Sequence, residues 1–541
     1  MKTKHAVALA FAAGIVYRNM VGLQGVDATD MGFCNTFYQV IFSAPDSNTF
    51  NFIYYLTGLL GGLWELTFGG LGLLGFRFFE SLALAAAILL MHLTFRDRMP
   101  RRHSVCAVAL SFLFPTIVVT FHYDTLSYLL VAASVYFFQK SLRGGYLAWS
   151  LAAGAMLGLS FFARIVNLSL LALPAVALLY WWRTDSPAAG LRRGGALFAG
   201  VLLGCAAVVG VMASLGHLPY YAEALAEGFS TLGRSDDTHS ADGMLSSYFK
   251  SFVNVAAQLA AIAVMWALWL RAGRMSGRRA CVAVRCALAV ALLVLVFTSQ
   301  SYLSLLSACT FVCLVWMTRH DAKAPDFALL VYILVAAYLF PLGSDTGIQS
   351  IFNWCAGLMV FPAAFCLQCF RRKGFAACVG VCVALCAVAG TLTPAYGESE
   401  PRLRCTEVLQ PGRLNALVPR GKADEYRRLI GAISRHAGEG GLLLLGNQDA
   451  ALYYATRTHP YLGHVQTKIY AGRRLEERLD ERAAHFGRLP VVVLYAGRHI
   501  DNETENHAII RRWMARRGYR LAYDDGFARL YVPGRRQGGP R

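Results

Sequence analysis

Two carboxylates directly behind the first apolar segment are the side chains with the clearest capacity for chemistry. Asp27 and Asp30 lie in VDATDMGFCNTFYQVIF (26–42), after the apolar run AVALAFAAGIVY (6–17). No Lys or Arg is near enough in sequence to neutralise them. A carboxylate that stays ionised where a membrane helix meets water can accept the proton of a hydroxyl group, so either acid is a candidate general base.

Further ionisable residues lie inside or at the ends of later apolar segments, where burying a charge is costly and a function is the default hypothesis. They are Arg77 and Glu80 in GFRFFE (75–80), His122 and Asp124 in FHYDTLSY (121–128), Arg164 in FFARIVN (161–167), Arg234, Asp236, Asp237 and His239 in the loop 217–248, and Asp345 in FPLGSDTG (340–347). Arg77 and Glu80 are three residues apart and could pair on one helix face. Each residue alone is more typical of a membrane interface or an intrahelix pair. Together they gather acids and arginines at the depth of lipid phosphates.

The composition is that of a polytopic membrane protein. Of 541 residues, 56% are hydrophobic and 15% are charged, and the mean hydropathy is +0.45. Segments apolar enough to cross about 30 Å of hydrocarbon as helices recur through residues 1–395. The net charge of +19 does not indicate a nucleic-acid partner. The basic residues cluster in short loops or alternate with acids, as in RRLEERLDER (473–482).

Loop charge predicts how the apolar segments cross the membrane. The predicted spans, about 13 in number, are roughly 5–22, 70–95, 104–121, 124–140, 145–162, 165–183, 194–215, 249–270, 280–298, 302–318, 325–342, 350–370 and 374–393. Lys and Arg concentrate in every second loop, at 96–103, 139–145, 181–195, 271–280, 318–323 and 371–374. By the positive-inside rule these loops are cytoplasmic. The N-terminus is then cytoplasmic, whereas Asp27, Asp30 and the C-terminal residues lie on the external face.

The first apolar segments divide into a helix that crosses the membrane and helices that lie along it. The segment 5–22 has no small-residue cleavage site, so we expect a retained helix rather than a signal peptide. Residues 44–68 are too rich in glycine and aromatic residues for a predicted span. We expect interfacial helices there, with Trp64 and the tyrosines at headgroup level. A re-entrant or spanning path would break the alternation of loop charge.

The residues from 396 onward are Arg-rich, mixed in polarity and without a span, which predicts a separate soluble domain. GLLLLG (441–446) and LPVVVLYA (489–496) are typical of buried strands, and YRLAYDDGFARLYVP (519–533) is typical of a β-hairpin. Helices are predicted over 423–437, 473–486 and 506–518. His436, His459, His464 and His485 lack metal-ligand spacing, and no nucleophile–base set is recognisable. We expect this domain to face the substrate or to act as a structural cap.

The predicted fold class is therefore an α-helical polytopic membrane protein, residues 1–395, with a small extracytoplasmic α/β domain, residues 396–541. The order of features resembles the GT-C membrane glycosyltransferases, in the branch of protein O-mannosyltransferases and the aminoarabinose transferase of lipid A. These features are an acid after the first span, interfacial helices, a glycine-rich entry to the second span (YYLTGLLGGLW, 54–64; GGLGLLGFRFFE, 69–80), about a dozen helices and an external α/β tail containing GNQDAALYYATRTHPYLG (446–463).

The resemblance implies that one acid of the first external loop is the catalytic base. Family members usually carry an Asp-Glu pair there, and the Asp is the base. In this chain Met31 follows Asp30, and DATD (27–30) stands in place of the pair. Asp27 and Asp30 therefore remain alternatives, and the distance to the segment 33–42 favours Asp30.

The resemblance also implies a sugar donor on a polyprenyl phosphate, an acceptor that is a lipid, glycan or protein, and contact with membrane lipids. The phosphate is a good leaving group, so the enzyme needs a base for the acceptor hydroxyl and cations for the departing phosphate. Attack from the face opposite the phosphate would invert the anomeric centre. We assign donor-phosphate or substrate binding to Arg77, His122, Asp124, Arg164 and Arg234. No cofactor is required, although a divalent cation could bridge Asp30 and Asp124 to the phosphate.

Three other classes of function remain open from the sequence. A transporter or flippase would place charged residues at mid-membrane, often in two related halves, and no internal repeat is recognisable. A polysaccharide polymerase or ligase would normally need a large external loop rich in Arg and His, for which 217–248 is a modest candidate. A membrane scaffold would need none of these residues. The sequence indicates a bacterial inner membrane with a periplasmic site, but not the sugar, the acceptor or the oligomeric state.

Overall fold

The computed structural model is mostly helical, with a small mixed sheet near the C-terminus. It describes residues 2–534 except 115–119, 145, 233–240, 275–276, 300–301, 321–322, 343–347, 349–353, 370–376, most of 378–399, 410–412, 448, 471 and 496–502. The helices of the N-terminal region are α1 Lys2–Val21, α2 Asp30–Val40, α3 Tyr55–Phe68, α4 Gly72–Phe95, α5 Arg101–Leu113, α6 Tyr123–Gly144, α7 Leu147–Ala163, α8 Ala172–Thr184, α9 Pro187–Ser214, α10 Leu218–Leu232, α11 Ala241–Ala272, α12 Arg278–Ser299, α13 Tyr302–His320, α14 Pro325–Leu339 and α15 Gly357–Cys366.

The helices agree with the apolar segments of the sequence. A helix coincides with every predicted span up to residue 370, and the predicted span 374–393 lies mostly outside the described residues. Within the described chain, four stretches are long and apolar enough to cross a membrane: Phe50–Phe95, Ile165–Thr184, Pro187–Ser214 and Leu245–Ala272. The helical membrane architecture is thereby supported, and the number of crossings stays a prediction.

The connecting segments fall into two groups that meet at opposite ends of the helices. At one end, Arg98 donates to Asp326 (Nε–Oδ1 2.6 Å) and Gln368 donates to the carbonyl of Arg98 (3.1 Å). At the other end, the Tyr55 hydroxyl lies 3.1 Å from Nδ1 of His217. Predicted cytoplasmic segments thus contact one another, as do predicted external ones. Which group faces the cytoplasm stays a prediction.

Helices α7 and α9 pack closely because glycines lie at their contact. A Cβ atom on Gly154 would lie 1.8 Å from the carbonyl oxygen of Leu197, and one on Gly200 would lie 2.0 Å from the carbonyl oxygen of Leu151. Only residues without side chains let two helix backbones approach this far, as is common between helices in membranes. Leu197 and the α7 residues Ala153 and Leu157 are buried in the apolar core of the helical region.

Residues 44–68 form two short 3₁₀ turns followed by α3. Helix α3 leaves Leu63 and Leu66 exposed, while Trp64 stacks on Phe79 with ring centroids 4.5 Å apart. A helix with one packed face and one exposed apolar face suits the membrane interface. The interfacial position of this segment remains a prediction.

The C-terminal region is an α/β unit whose sheet has the order β4-β3-β5-β7-β6. Its elements are β1 Glu407–Val408, β2 Leu417–Val418, α16 Arg420–Ala437, β3 Leu442–Leu445, α17 Ala451–Thr456, β4 His459–Pro460, α18 Arg473–Phe486, β5 Val491–Tyr495, α19 Glu503–Arg516, β6 Tyr519–Asp524 and β7 Ala528–Pro533. Strand β3 is parallel to β4 and β5, and β7 is antiparallel to β5 and β6. The predicted strands, helices and hairpin are confirmed, whereas β1, β2, β4 and α17 were not predicted.

The two central strands divide their side chains between two apolar clusters. In β3, Leu443 and Leu445 face a cluster that also contains residues of the first loop, and Leu442 and Leu444 face a cluster of α18 and α19. Side chains alternate between the faces of a strand, so a strand covered on both faces is apolar throughout. This explains the continuous apolar run GLLLLG (441–446), which carries no polar face.

The α/β unit packs directly on the loop that carries the two candidate acids. Strand residue Leu417 exchanges backbone hydrogen bonds with Leu23 and Gly25, at 2.7 and 2.8 Å. The backbone N–H of Ala451 donates to the carbonyl of Ala28 at 2.9 Å. At Gly32 the approach is so close that a Cβ atom would lie 2.1 Å from the Ala451 nitrogen. The C-terminal region therefore lies on the same side of the molecule as the acids, as the sequence predicted.

We expect Gly32→Ala to lower the free energy of unfolding by about 1–3 kcal/mol, because the added methyl group overpacks a contact between two backbones. The free energy is measured by denaturant titration of the purified protein in detergent. The matched control is Gly431→Ala in α16, where a Cβ atom would meet nothing within 4 Å. That helix-interior glycine should tolerate alanine or gain about 1 kcal/mol from it. Equal effects of the two substitutions would contradict the close contact.

Candidate active site at the first external loop

The Asp27 carboxylate satisfies backbone donors at the start of α2. It is 4% exposed. Its Oδ1 accepts from the hydroxyl (2.8 Å) and the N–H (3.2 Å) of Thr29, and its Oδ2 accepts from the N–H of Met31 (2.9 Å). The first N–H groups of a helix lack partners within the helix, so an acid placed here stabilises the helix start. This predicted site residue therefore fixes where α2 begins.

Asp30 is the first residue of α2 and is only half-buried. Its carboxylate lies within electrostatic range of the hydroxyl groups of Tyr54 and Tyr123, whose rings stack with centroids 4.3 Å apart. The charge of Asp124 acts on the same two hydroxyl groups. Asp30 and Asp124, which are far apart in sequence, thus approach a common pair of tyrosines. Of the two loop acids, Asp30 is the one with more of its side chain accessible.

Asp124 and Arg164 form a buried ion pair next to these tyrosines. Arg164 Nη1 donates to Asp124 Oδ1 at 3.0 Å and to the carbonyl of Phe340 at 3.1 Å. Both side chains are 6% exposed. The Arg164 guanidinium also lies over the ring of Tyr123, with Cζ 5.7 Å from the centroid. The pair connects the start of α6 to the turn after α7 and to the end of α14.

His122 completes this cluster from the segment just before α6. Its Nδ1 lies 3.3 Å from the backbone nitrogen of Asp124 and 3.5 Å from Asp124 Oδ2, and its ring stacks on Trp354 at 4.7 Å. Burial lowers the pKa of His122, but the neighbouring Cys34 and Asp124 outweigh burial and raise the pKa above its usual range. The predicted residues His122, Asp124 and Arg164 are therefore brought together in one place.

Arg77 holds the backbone of the first loop. Its Nη1 donates to the carbonyl of Gly22 at 2.5 Å, and its Nη2 donates to the carbonyl of Gly25 at 2.7 Å. The side chain is 3% exposed. Glu80, which was expected to be able to pair with Arg77, accepts a hydrogen bond from Arg18 of α1 at 2.9 Å. Arg77 thus connects the second predicted span to the residues just before Asp27.

Five further predicted site residues belong to the loops between the helices. Arg234, Asp236, Asp237, His239 and Asp345 lie outside the described residues. No group of three or more His, Cys, Asp or Glu side chains that could hold a metal ion occurs in the described part of the chain. The proposal of a cation between Asp30 and Asp124 thus has no third ligand among these residues.

Sequence reasoning missed residues of the C-terminal region that contact the first loop. Lys422 and Glu398 bind the backbone of Val26, and Arg413 binds Glu65 of α3 and lies over the ring of Tyr454, with Cζ 4.2 Å from the centroid. Lys422 and Val26 are 396 positions apart in sequence, and Arg413 and Glu65 are 348 positions apart. No periodicity or spacing within the chain indicates such contacts, so only a structure could identify them.

Comparison with known proteins identifies a fold. No family model and no curated protein matches the chain. Among solved structures it is similar to ArnT from Cupriavidus metallidurans bound to undecaprenyl phosphate, with a TM-score of 0.52 and 15% identity over 99% of both chains. It is also similar to the archaeal oligosaccharyltransferase AglB from Archaeoglobus fulgidus in complex with an inhibitory peptide and a dolichol-phosphate. That TM-score is 0.48, at 12% identity over 100% of this chain and 75% of AglB.

The similarity to ArnT extends over nearly the full length of both chains, including the helical region and the C-terminal α/β unit. The chain therefore has a GT-C-like membrane glycosyltransferase fold. The architecture predicted from the order of sequence features is confirmed at this level.

The contacts of Asp27 predict that it stabilises α2. We expect Asp27→Ala to lower the free energy of unfolding by about 0.5–2 kcal/mol, because backbone donors at the helix start lose their acceptor. Asp46→Ala is the control, since Asp46 lies in the same external segment and pairs with His485 at a half-exposed position. Denaturant titration in detergent compares the two variants. Asp27→Ala with the stability of the wild type would refute the capping role.

The buried Asp124–Arg164 ion pair predicts a larger loss of stability than the loss expected for Asp27→Ala. We expect Arg164→Met to lower the free energy of unfolding by about 3–5 kcal/mol, since it leaves the buried Asp124 carboxylate without its cation. Arg143→Met serves as the control, because Arg143 lies 3.8 Å from Asp97 and both side chains are exposed. Such exposed pairs contribute little. Comparable losses in the two variants, measured by the same titration, would show that Asp124 does not depend on Arg164.

Proposed function

We propose that this protein is an integral membrane glycosyltransferase that moves a sugar from a polyprenyl phosphate to an acceptor hydroxyl group at the external face of the membrane. The observation that carries the proposal is the first loop, where Asp27 and Asp30 are held in a folded segment under the α/β unit. The fold supports it, because ArnT has the same fold and was crystallised with undecaprenyl phosphate. A lipid-linked donor also explains why a helical membrane region carries the site.

The reaction follows from the chemistry of such a donor. A carboxylate removes the proton of the acceptor hydroxyl group as its oxygen attacks the anomeric carbon. The bond between that carbon and the phosphate oxygen breaks, and the phosphate leaves with the electron pair. Attack from the opposite face, through an oxocarbenium-like transition state, inverts the anomeric centre. The products are the glycosylated acceptor and the polyprenyl phosphate.

We assign the role of base to Asp30. Its carboxylate is half-buried and so can meet both the lipid donor and an acceptor from the aqueous side. It approaches Tyr54 and Tyr123, next to the Asp124–Arg164 pair. The contacts of Asp27 favour a different part for that residue, because its two oxygens already accept three hydrogen bonds from the protein. Asp27 then holds α2, and thereby Asp30, in place.

The departing phosphate needs cationic or hydrogen-bonding groups close to the base. Arg164, His122 and Asp124 surround the tyrosines that Asp30 approaches, which supports their assignment to substrate binding. Arg77 contacts loop carbonyls and would act by fixing the loop. Arg234, in the loop 217–248, is proposed as a further phosphate ligand from its sequence position. A divalent cation at the phosphate would use Asp30 and Asp124.

The sequence supports a proposal for the membrane and the compartment in which the reaction takes place. We place the protein in a bacterial inner membrane with the N-terminus in the cytoplasm and the α/β unit in the periplasm, in line with the alternation of basic loops. The α/β unit packs on residues 22–31, which carry Asp27 and Asp30 and are named here the acid loop. An acceptor that approaches from the periplasm, whether lipid, glycan or protein, would pass this unit.

The test is transfer of radiolabelled sugar from a polyprenyl-phosphate donor in membranes. Asp30→Asn is expected to reduce transfer by about 10²–10⁴-fold, because the amide cannot accept the proton. Asp27→Asn should retain more activity than Asp30→Asn. Asp46 lies in the same external segment and pairs with His485, and Asp46→Asn should transfer sugar as the wild type does. All variants are compared at equal expression.

Two results would count against the proposal. Full activity of Asp30→Asn together with loss of transfer in Asp27→Asn would move the role of base to Asp27. Transfer that depends on neither acid, or no consumption of any polyprenyl-linked donor by the wild type, would reject the mechanism and favour a transporter or flippase.

A further inference from the structure

Two charged side chains from the C-terminal region bind both polar groups of the backbone at Val26, the residue before Asp27. The N–H of Val26 donates to Glu398 Oε1 at 2.8 Å. Lys422 Nζ donates to the carbonyl of Val26 at 2.7 Å and to Glu398 Oε1 at 2.9 Å. The three groups form a closed set of hydrogen bonds, named here the Val26 bracket.

The Val26 bracket is largely shielded from solvent. Val26 is fully buried, and the side chains of Glu398 and Lys422 are 3% and 20% exposed. Hydrogen bonds to charged groups are stronger than neutral ones, and removal of one partner of a buried pair leaves the other unpaired. Lys422 contacts the loop directly through the carbonyl of Val26, so a substitution of Lys422 changes a contact of the loop itself.

The loop is fixed on its other side by the helical region. Arg77 of α4 binds the carbonyls of Gly22 and Gly25. The bracket binds the next residue, Val26, and the Asp27 carboxylate binds the N–H of Met31. Each residue from 22 to 31 is therefore at most a few residues from a fixed point. The position of Asp30 depends on contacts from both regions of the chain.

We propose that Lys422 and Glu398 are positioning residues for the acid loop, so that the C-terminal α/β unit takes part in catalysis without touching substrate. This inference rests on the proposed function, because it gives the loop a reacting carboxylate to position. A displacement of about 1 Å between a base and its substrate costs up to about 10²-fold in rate. Lys422 and Glu398 would therefore act on the chemical step and leave donor binding nearly unchanged.

The experiment compares Lys422→Met with Arg428→Met in the full-length protein, reconstituted in detergent or nanodiscs. Methionine keeps the length of the side chain and removes the charge and the donors. Arg428 lies on the same helix, α16, is 53% exposed and pairs with Asp525. We expect Lys422→Met to lower kcat for sugar transfer by about 10–100-fold with little change in the KM for the donor. Lys422→Arg should restore part of the rate, and Arg428→Met should match the wild type.

A second measurement needs no substrate. Hydrogen exchange followed by mass spectrometry reports the protection of the amides of residues 26–31. In Lys422→Met these amides should exchange at least about tenfold faster, because a hydrogen bond to a charged group is lost at the bracket. The amides of α19, which packs on the opposite face of the sheet, serve as the internal reference. Glu398→Gln removes the charge that pairs with Lys422 and weakens the charge-assisted hydrogen bond from the Val26 N–H, so it should also speed exchange at 26–31 and tests the bracket if Lys422→Met does not fold.

The outcomes separate the two proposals. Wild-type exchange at 26–31 in Lys422→Met, or in Glu398→Gln where that variant is used, overturns the positioning role whatever the protein catalyses. A rise in KM with an unchanged kcat would overturn it as well, because it would make Lys422 a binding residue. Faster exchange in a protein that transfers no sugar even as wild type supports the bracket and rejects the proposed function instead.

Discussion

The structure depends on how the backbone of residues 22–31 is held between two regions that are remote in sequence. A loop that leaves a membrane helix carries polar backbone groups, and each needs a partner once it is covered by protein. Arg77 of the second predicted span supplies donors on one side, and Leu417, Lys422 and Glu398 supply partners on the other. The cost of burying these charged side chains is offset because every one of them binds a backbone group. The backbone of the acid loop is thereby held by side chains from both regions of the chain.

The contact with the first loop also bears on how the two faces of the C-terminal sheet are covered. Its two central strands are apolar on both faces, because one face packs under α18 and α19 while the other joins the cluster that contains α2 and α3. Helix α16 of the unit itself also packs in this second cluster, together with residues of the first loop. The unit thereby covers apolar residues of that loop. The predicted boundary at residue 395 divides the chain in sequence, but the two regions share one apolar cluster at the site.

The same arrangement places the acids of the site in different environments. Asp27 is buried and accepts hydrogen bonds from the Thr29 hydroxyl and from the N–H groups of Thr29 and Met31, whereas Asp30, at the first position of α2, is half-buried and lies near the hydroxyl groups of Tyr54 and Tyr123. Asp124 is neutralised by Arg164. Two carboxylates in DATD would be equivalent by composition, and the position of each relative to the start of α2 makes them differ. Local geometry therefore decides which of the two acids is the more exposed.

The sequence by itself determined most of the helices and the longer strands, and it predicted which connections lie on the same side of the molecule. The length of the apolar segments identified the helices, and two-residue alternation with the Asp-Asp-Gly turn identified the hairpin. Loop charge divided the connections into a basic group and a group poor in Lys and Arg. These signals are local along the chain. It also singled out Asp27, Asp30, Asp124 and Arg164 as unusual residues. Only the tertiary structure decided that Arg77 holds the loop, that Glu80 pairs with Arg18, and that Lys422 and Glu398 bind Val26. Those contacts join residues tens to hundreds of positions apart, and they depend on three-dimensional packing that no local pattern encodes.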